Sequence, residues 1–180
     1  MKWGPFWRKF IFVFLTASAA GAVLSFFHPT HQPRDVLPPG ITIDRIVVEK
    51  AARKLSIQRR GDVLKTYRIA LGQNPIGPKE QEGDMKTPEG IYTIDSRNPN
   101  SDFHLGLHLS YPSPEDSARA AERGLNAGFD IMIHGLPNDH VTDAFHPLTD
   151  WTAGCIAVTD AEIEELWRLA PNGTIVEIRP

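Results

Sequence analysis

From residue 41 to the end of the chain, apolar side chains recur at alternate positions or in short unbroken runs, and glycine, proline, asparagine or aspartate closes each run. A period of two belongs to strands, and the pattern predicts them over 43–49, 54–58, 63–70, 91–94, 131–133, 156–158 and 174–178. Phe103, Leu105, Leu107 and Leu109 also alternate, which makes a further strand and puts His104, Gly106 and His108 on one of its faces. Between 54–58 and 63–70, Arg59-Arg60-Gly61-Asp62 has the glycine and aspartate of a hairpin turn. Two helices stand out. One is opened by Ser113 with Pro114 in its first turn and closed by Gly124; the other opens near Thr159 with Glu162 three residues on. The second places Ile163, Leu166, Trp167 and Ala170 on a single apolar stripe, which makes Trp167 a core residue. The expected fold is mainly β with short helices.

The first forty residues follow another logic. Lys2, Arg8 and Lys9 precede eighteen uncharged residues, 10–27, the arrangement of an export signal or a membrane anchor. Small residues at Ala17-Ser18-Ala19 and Ala20-Gly21-Ala22 suit cleavage, whereas apolar character that continues to Phe27 suits retention, and both outcomes stay open. Residues 28–40 carry Pro29, Pro33, Pro38 and Pro39 and read as a linker, leaving 41–180 as one domain across the inner membrane, in the periplasm. Beyond residue 27 the chain holds 22 acidic residues against 16 of its 19 basic ones, which disfavours nucleic acid as a partner.

Export changes the meaning of Cys155, the one cysteine of the chain. A lone cysteine makes no internal disulfide, so it is either a small buried hydrophobe or a chemical group. Gly154 before it and the strand 156–158 after it favour the second: the glycine lets backbone N–H groups approach a reacting carbonyl, and the strand is a rigid mount. A thiol nucleophile needs a base. Among seven histidines, His134 is the best placed, at the end of Ile131-Met132-Ile133 and before Gly135. The sixteen residues 135–150 have no periodicity and read as the wall or lid of a groove, with His140 and His146 in solvent.

These residues resemble the catalytic domain of the L,D-transpeptidases, cysteine enzymes that remodel bacterial peptidoglycan. The family pattern is a histidine, fourteen to seventeen residues, then Ser/Thr-His-Gly-Cys and a hydrophobic residue; here seventeen residues separate His134 from Thr152-Ala153-Gly154-Cys155-Ile156. Thr87-Pro88-Glu89-Gly90-Ile91-Tyr92 is similar to the family's Thr-Pro-x-Gly hairpin. Ala153 and Ala157 depart from the pattern, standing where the family has histidine and a polar residue. The runs 103–118 and 133–138 look nearest a branch that includes enzymes detaching the outer-membrane lipoprotein from peptidoglycan.

The resemblance implies a β-sandwich of the L,D-transpeptidase type over 41–180, no cofactor, and peptidoglycan stem peptides as partner, with the lipoprotein as a second candidate. It implies that Cys155 attacks the third stem residue, that His134 shuttles the proton, that the Gly135 carbonyl orients His134, and that the Gly154 and Cys155 amides hold the oxyanion. Trp151, Thr152, His104 and His108 are then candidate substrate contacts. The acceptor separates a transpeptidase from a hydrolase, and Ala153 and Ala157 leave a third reading, a weakly active wall-binding module. His104 and His108 lack the further converging ligands of a zinc site, so no metal is expected. Residues 72–78 and 83–86 read as a connection, and Lys86 and Arg97 as surface charges.

Overall fold

The computed structural model describes residues 37–139 and 146–180; the expected export segment and most of the linker lie outside them. Eight strands and two helices follow in the order β1 (Arg45–Glu49), β2 (Lys54–Arg59), β3 (Asp62–Arg68), β4 (Gly90–Ser101), β5 (His104–Leu109), α1 (Pro114–Glu122), β6 (Met132–His134), β7 (Ile156–Ala157), α2 (Asp160–Leu169) and β8 (Ile175–Arg179). The strands hydrogen-bond in the spatial order β3-β2-β1-β8-β4-β5-β6-β7.

The β2–β3 hairpin closes as expected. Arg60 at φ 55° and Gly61 at φ 90° both adopt the left-handed conformation of a two-residue turn whose twist matches its strands. β1 then pairs antiparallel with β2 and parallel with β8, so the first and last strands of the domain lie side by side.

β4 is where two halves of the sheet meet. Gly90–Thr93 pairs with β8, Ile94–Ser101 pairs with β5, and the register slips at Ile94/Ser96 and at Asn98/Ser101. Such bulges bend a strand and increase its twist. The two layers are thus one run of strands turned at β4, and its far edges are stitched by isolated bridges, Ala70 to Ala157 and Gly72 to Thr152.

Between the halves lies the core, with Ile46, Leu55, Ile57, Ile94, Leu107, Leu109, Ile133 and Ile156 fully buried. α2 adds Ile163, Leu166 and Leu169 and packs on β5 and β6. Its first turn is held by the Glu162 carboxylate, which accepts from the Thr159 amide at 2.9 Å. α1 opens with the full reciprocal box: the Asp116 amide donates to Ser113 Oγ at 3.1 Å and the Ser113 amide to the Asp116 carboxylate at 3.0 Å. Arg97, expected at the surface, instead reaches the C-terminal end of α2. It donates to the carbonyls of Trp167 and Ala170 and lies 4.5 Å from the Trp167 ring.

Candidate active site

β6 and β7 are parallel neighbours, with Ile133 opposite Ile156 and His134 opposite Ala157. Cys155, just ahead of β7, is thereby carried to the flank of the strand that ends in His134. The Val158 amide donates to the His134 carbonyl at 3.0 Å and ties the two strands beyond that point.

His134 is 2% exposed, under the rings of Phe103 at 4.4 Å and Trp151 at 5.7 Å between centroids. Its Nδ1 lies 2.8 Å from the Gly135 carbonyl. A carbonyl only accepts, so Nδ1 carries the proton and Nε2 is left as the basic nitrogen. Burial lowers the imidazole pKa to about 4, against the Gly135 carbonyl, which raises it; a charge on His146 lowers it further. His146, expected in solvent, has both ring nitrogens buried. His140 lies outside the described residues.

The thiol is held at rest by backbone groups. Sγ receives the Met132 amide at 3.4 Å and lies 3.6 Å from the Asp130 carbonyl. Burial raises its pKa to about 11; the Met132 amide and Lys79 work against that rise, and the Asp130 charge adds to it. Thiol and imidazole are both neutral at neutral pH.

The turn that mounts the sulfur is self-locked. Thr152 Oγ1 donates to the Cys155 carbonyl at 2.7 Å and accepts from the Gly154 amide at 3.1 Å. The Gly154 amide, expected to hold the oxyanion, has Thr152 Oγ1 as its acceptor at rest. The Thr152 hydroxyl is thus engaged inside the turn, while the residue lines the cavity beside Cys155. Glycine is required at 154 for a different reason: φ is 136°, and a Cβ there would stand 2.7 Å from the Lys86 carbonyl oxygen.

Two cavities open at the sulfur. One, of about 420 Å³, is lined by Gln73, Met85, Phe103, His134, Pro137 and Trp151 together with the 152–155 turn. The other, of about 260 Å³, has Lys79, Glu82, Phe129 and Asp130 in its lining. Among the described residues, no group of three or more His, Cys, Asp or Glu side chains is arranged to hold a metal ion.

The model of the L,D-transpeptidase catalytic domain (YkuD) matches residues 43–178. The chain belongs to that family. Among its curated relatives is the Escherichia coli L,D-transpeptidase-family protein YafK, 28% identical over 115 residues. That match takes in 63% of this chain and 39% of the relative, so the chain spans well under half the relative's length. Similar solved structures include Bd1075 of Bdellovibrio bacteriovorus, 29% identical with TM-score 0.55, covering 77% of this chain and 48% of that one. The helical cell shape determining protein Pgp2 of Campylobacter jejuni is 23% identical with TM-score 0.60, covering 78% and 48%. The L,D-transpeptidase of Xylanimonas cellulosilytica shares the fold at 16% identity and TM-score 0.51, covering 79% and 63%.

Within this L,D-transpeptidase domain, Cys155, His134, Gly135, Trp151 and Thr152 come together, whereas two expected contacts do not. His104 Nε2 pairs with Glu164 at 2.9 Å and His108 Nδ1 with Asp95 at 2.6 Å, and neither residue lines the cavities at Cys155. They share a strand face, but that face is turned to carboxylates. Sequence reasoning missed Gln73, Met85 and Phe103, whereas Pro137 falls in the stretch expected to wall the groove. Gln73 and Met85 belong to the stretch read as a plain connection, and they reach the site because Gly72 bridges Thr152, a long-range pairing with no local signature.

Proposed function

We propose that this domain is a peptidoglycan L,D-transpeptidase acting as a cysteine acyltransferase outside the inner membrane. Cys155 attacks the carbonyl of the third stem residue as its proton passes to His134 Nε2. The tetrahedral adduct collapses to a thioester, and the same proton leaves with the amine of D-alanine. An acceptor amine, deprotonated by His134, then attacks the thioester and releases the thiol. The observation that carries this reading is the shared cavity: thiol and imidazole line one groove, and the Gly135 carbonyl leaves His134 its basic Nε2.

Hydrolysis is the second reading, including release of a lipoprotein from the wall. Water taking the place of an amine-bearing ligand in the smaller cavity at Cys155 would resolve the thioester by hydrolysis. The neutral resting thiol also fits a wall-binding module without turnover.

The test is mass spectrometry of products from the full chain and its Cys155→Ala variant, given tetrapeptide and lipoprotein-linked muropeptides. Stem-to-stem dimers with loss of D-alanine, made only with Cys155 present, are the expected result. Cysteine-dependent cleavage without dimers replaces transfer by hydrolysis, and no cysteine-dependent product with retained wall binding leaves the module.

A further inference from the structure

The turn between β1 and β2 carries two basic side chains whose bonds go to neither strand. Lys50, 2% exposed, donates from Nζ to the Gly77 carbonyl at 2.6 Å, the Thr87 carbonyl at 2.8 Å and the Glu89 carboxylate at 2.9 Å. All three of its donors are thereby used. Arg53 forks onto Asp150, with Nε 3.0 Å from both carboxylate oxygens and Nη2 2.6 Å from Oδ2, while its Nη1 donates back to the Lys50 carbonyl. The two residues form one unit that grips two separate stretches of chain.

Those stretches are the two supports of the Cys155 turn. The segment 72–89 contains no helix and no strand. Its Lys86 carbonyl abuts Gly154, and its Met85 carbonyl and the Gly154 Cα both crowd Gly72, where a Cβ would lie 2.2 Å and 3.0 Å from them. Asp150 begins the run that reaches Cys155, and its Oδ1 also accepts the Leu71 amide at 3.0 Å. From there the Thr152 amide donates to the Leu71 carbonyl at 3.1 Å and the Gln73 amide to the Thr152 carbonyl at 3.0 Å. The Gly72 amide closes the circuit on Thr87 Oγ1 at 3.1 Å.

A fold-stabilising role alone does not account for this. β1 is already paired along its length with β2 on one side and β8 on the other. An ammonium is costly to bury, and an apolar side chain would fill the same space without that cost. What an apolar residue lacks is the means to hold three acceptors from three points of an irregular segment.

We propose that Lys50 and Arg53 are positioning residues, a two-armed clamp that fixes the Thr152–Cys155 turn from both sides and so sets where the sulfur stands relative to His134. The consequence for turnover rests on the acyl-transfer reading; the positioning itself does not. An error of about 1 Å at a reacting atom costs on the order of 100-fold in rate, so a clamp remote from substrate acts on kcat and not on binding.

Lys50→Met and Arg53→Gln in the full chain test it by amide hydrogen exchange, iodoacetamide labelling of Cys155 and muropeptide kinetics. The expected result is exchange at least about tenfold faster over 84–88 and 152–155, with 46–48, 55–57 and 176–178 as protected as before. The Cys155 labelling rate shifts with it, kcat falls about 100-fold with KM within about threefold, and Arg53→Lys recovers part of the loss. Faster exchange spread evenly over the sheet, or unchanged exchange at 152–155, overturns the proposal. If Lys50→Met does not fold, Glu89→Gln weakens the same arm at its half-buried end and is read the same way. Exchange and labelling need no turnover. An unsubstituted chain that forms no product therefore defeats the transfer reading while these readouts still decide the clamp.

Discussion

Cys155 and His134 are both driven by burial towards their uncharged forms, and each keeps one backbone contact that opposes the drive: the Met132 amide for the thiol, the Gly135 carbonyl for the imidazole. Both groups are therefore uncharged at rest near neutral pH. Asp130 is the charge that pushes the thiol further up. Asp130→Asn is therefore expected to speed iodoacetamide labelling of Cys155 at pH 7.5 by several-fold, while labelling of the unsubstituted chain keeps rising with pH to about 11. That Cys155 and His134 line one cavity was readable from a lone cysteine after glycine and a histidine at the end of an apolar run. The bond from the Gly154 amide to Thr152 Oγ1 was not, because residue spacing does not encode it. The pairing of His104 and His108 with carboxylates was equally illegible: Glu164 and Asp95 are brought to them by the packing of α2 and the curl of β4.

Elements whose ends carry chemical signals were legible; those made by long-range pairing were less so. Both helices start where their caps predicted, at Ser113 and Thr159. β4 runs to Ser101, seven residues beyond the expected strand. Its second half is polar and contains Pro99, a composition that reads as loop, and only the bulged pairing with β5 makes it a strand. Arg97 in that half fastens α2 by two hydrogen bonds and a cation–π contact. Arg97→Met is expected to lower unfolding free energy by about 1–2 kcal/mol in urea titration, with α2 the first element to lose amide protection.

For the molecule as a whole, the buried neutral histidine sets an acid limit to stability. The His134 pKa lies near 4 when folded against an ordinary 6.5, so the unfolded chain binds the proton more tightly. Stability from this group is complete above pH 6.5 and is lost as pH falls towards 4, by about 3 kcal/mol. Urea titrations across that window should show the slope, and His134→Gln should flatten it. The parallel pairing of β1 with β8 bears on how such a chain comes into being. The third strand of the sheet order cannot find its second neighbour until β8 has been synthesised, so a nascent chain carries β1 unmatched on one edge until that point. Until then half of the pairing that holds the middle of the sheet is missing, so the order of synthesis places closure of the sheet after the making of nearly every other strand partner.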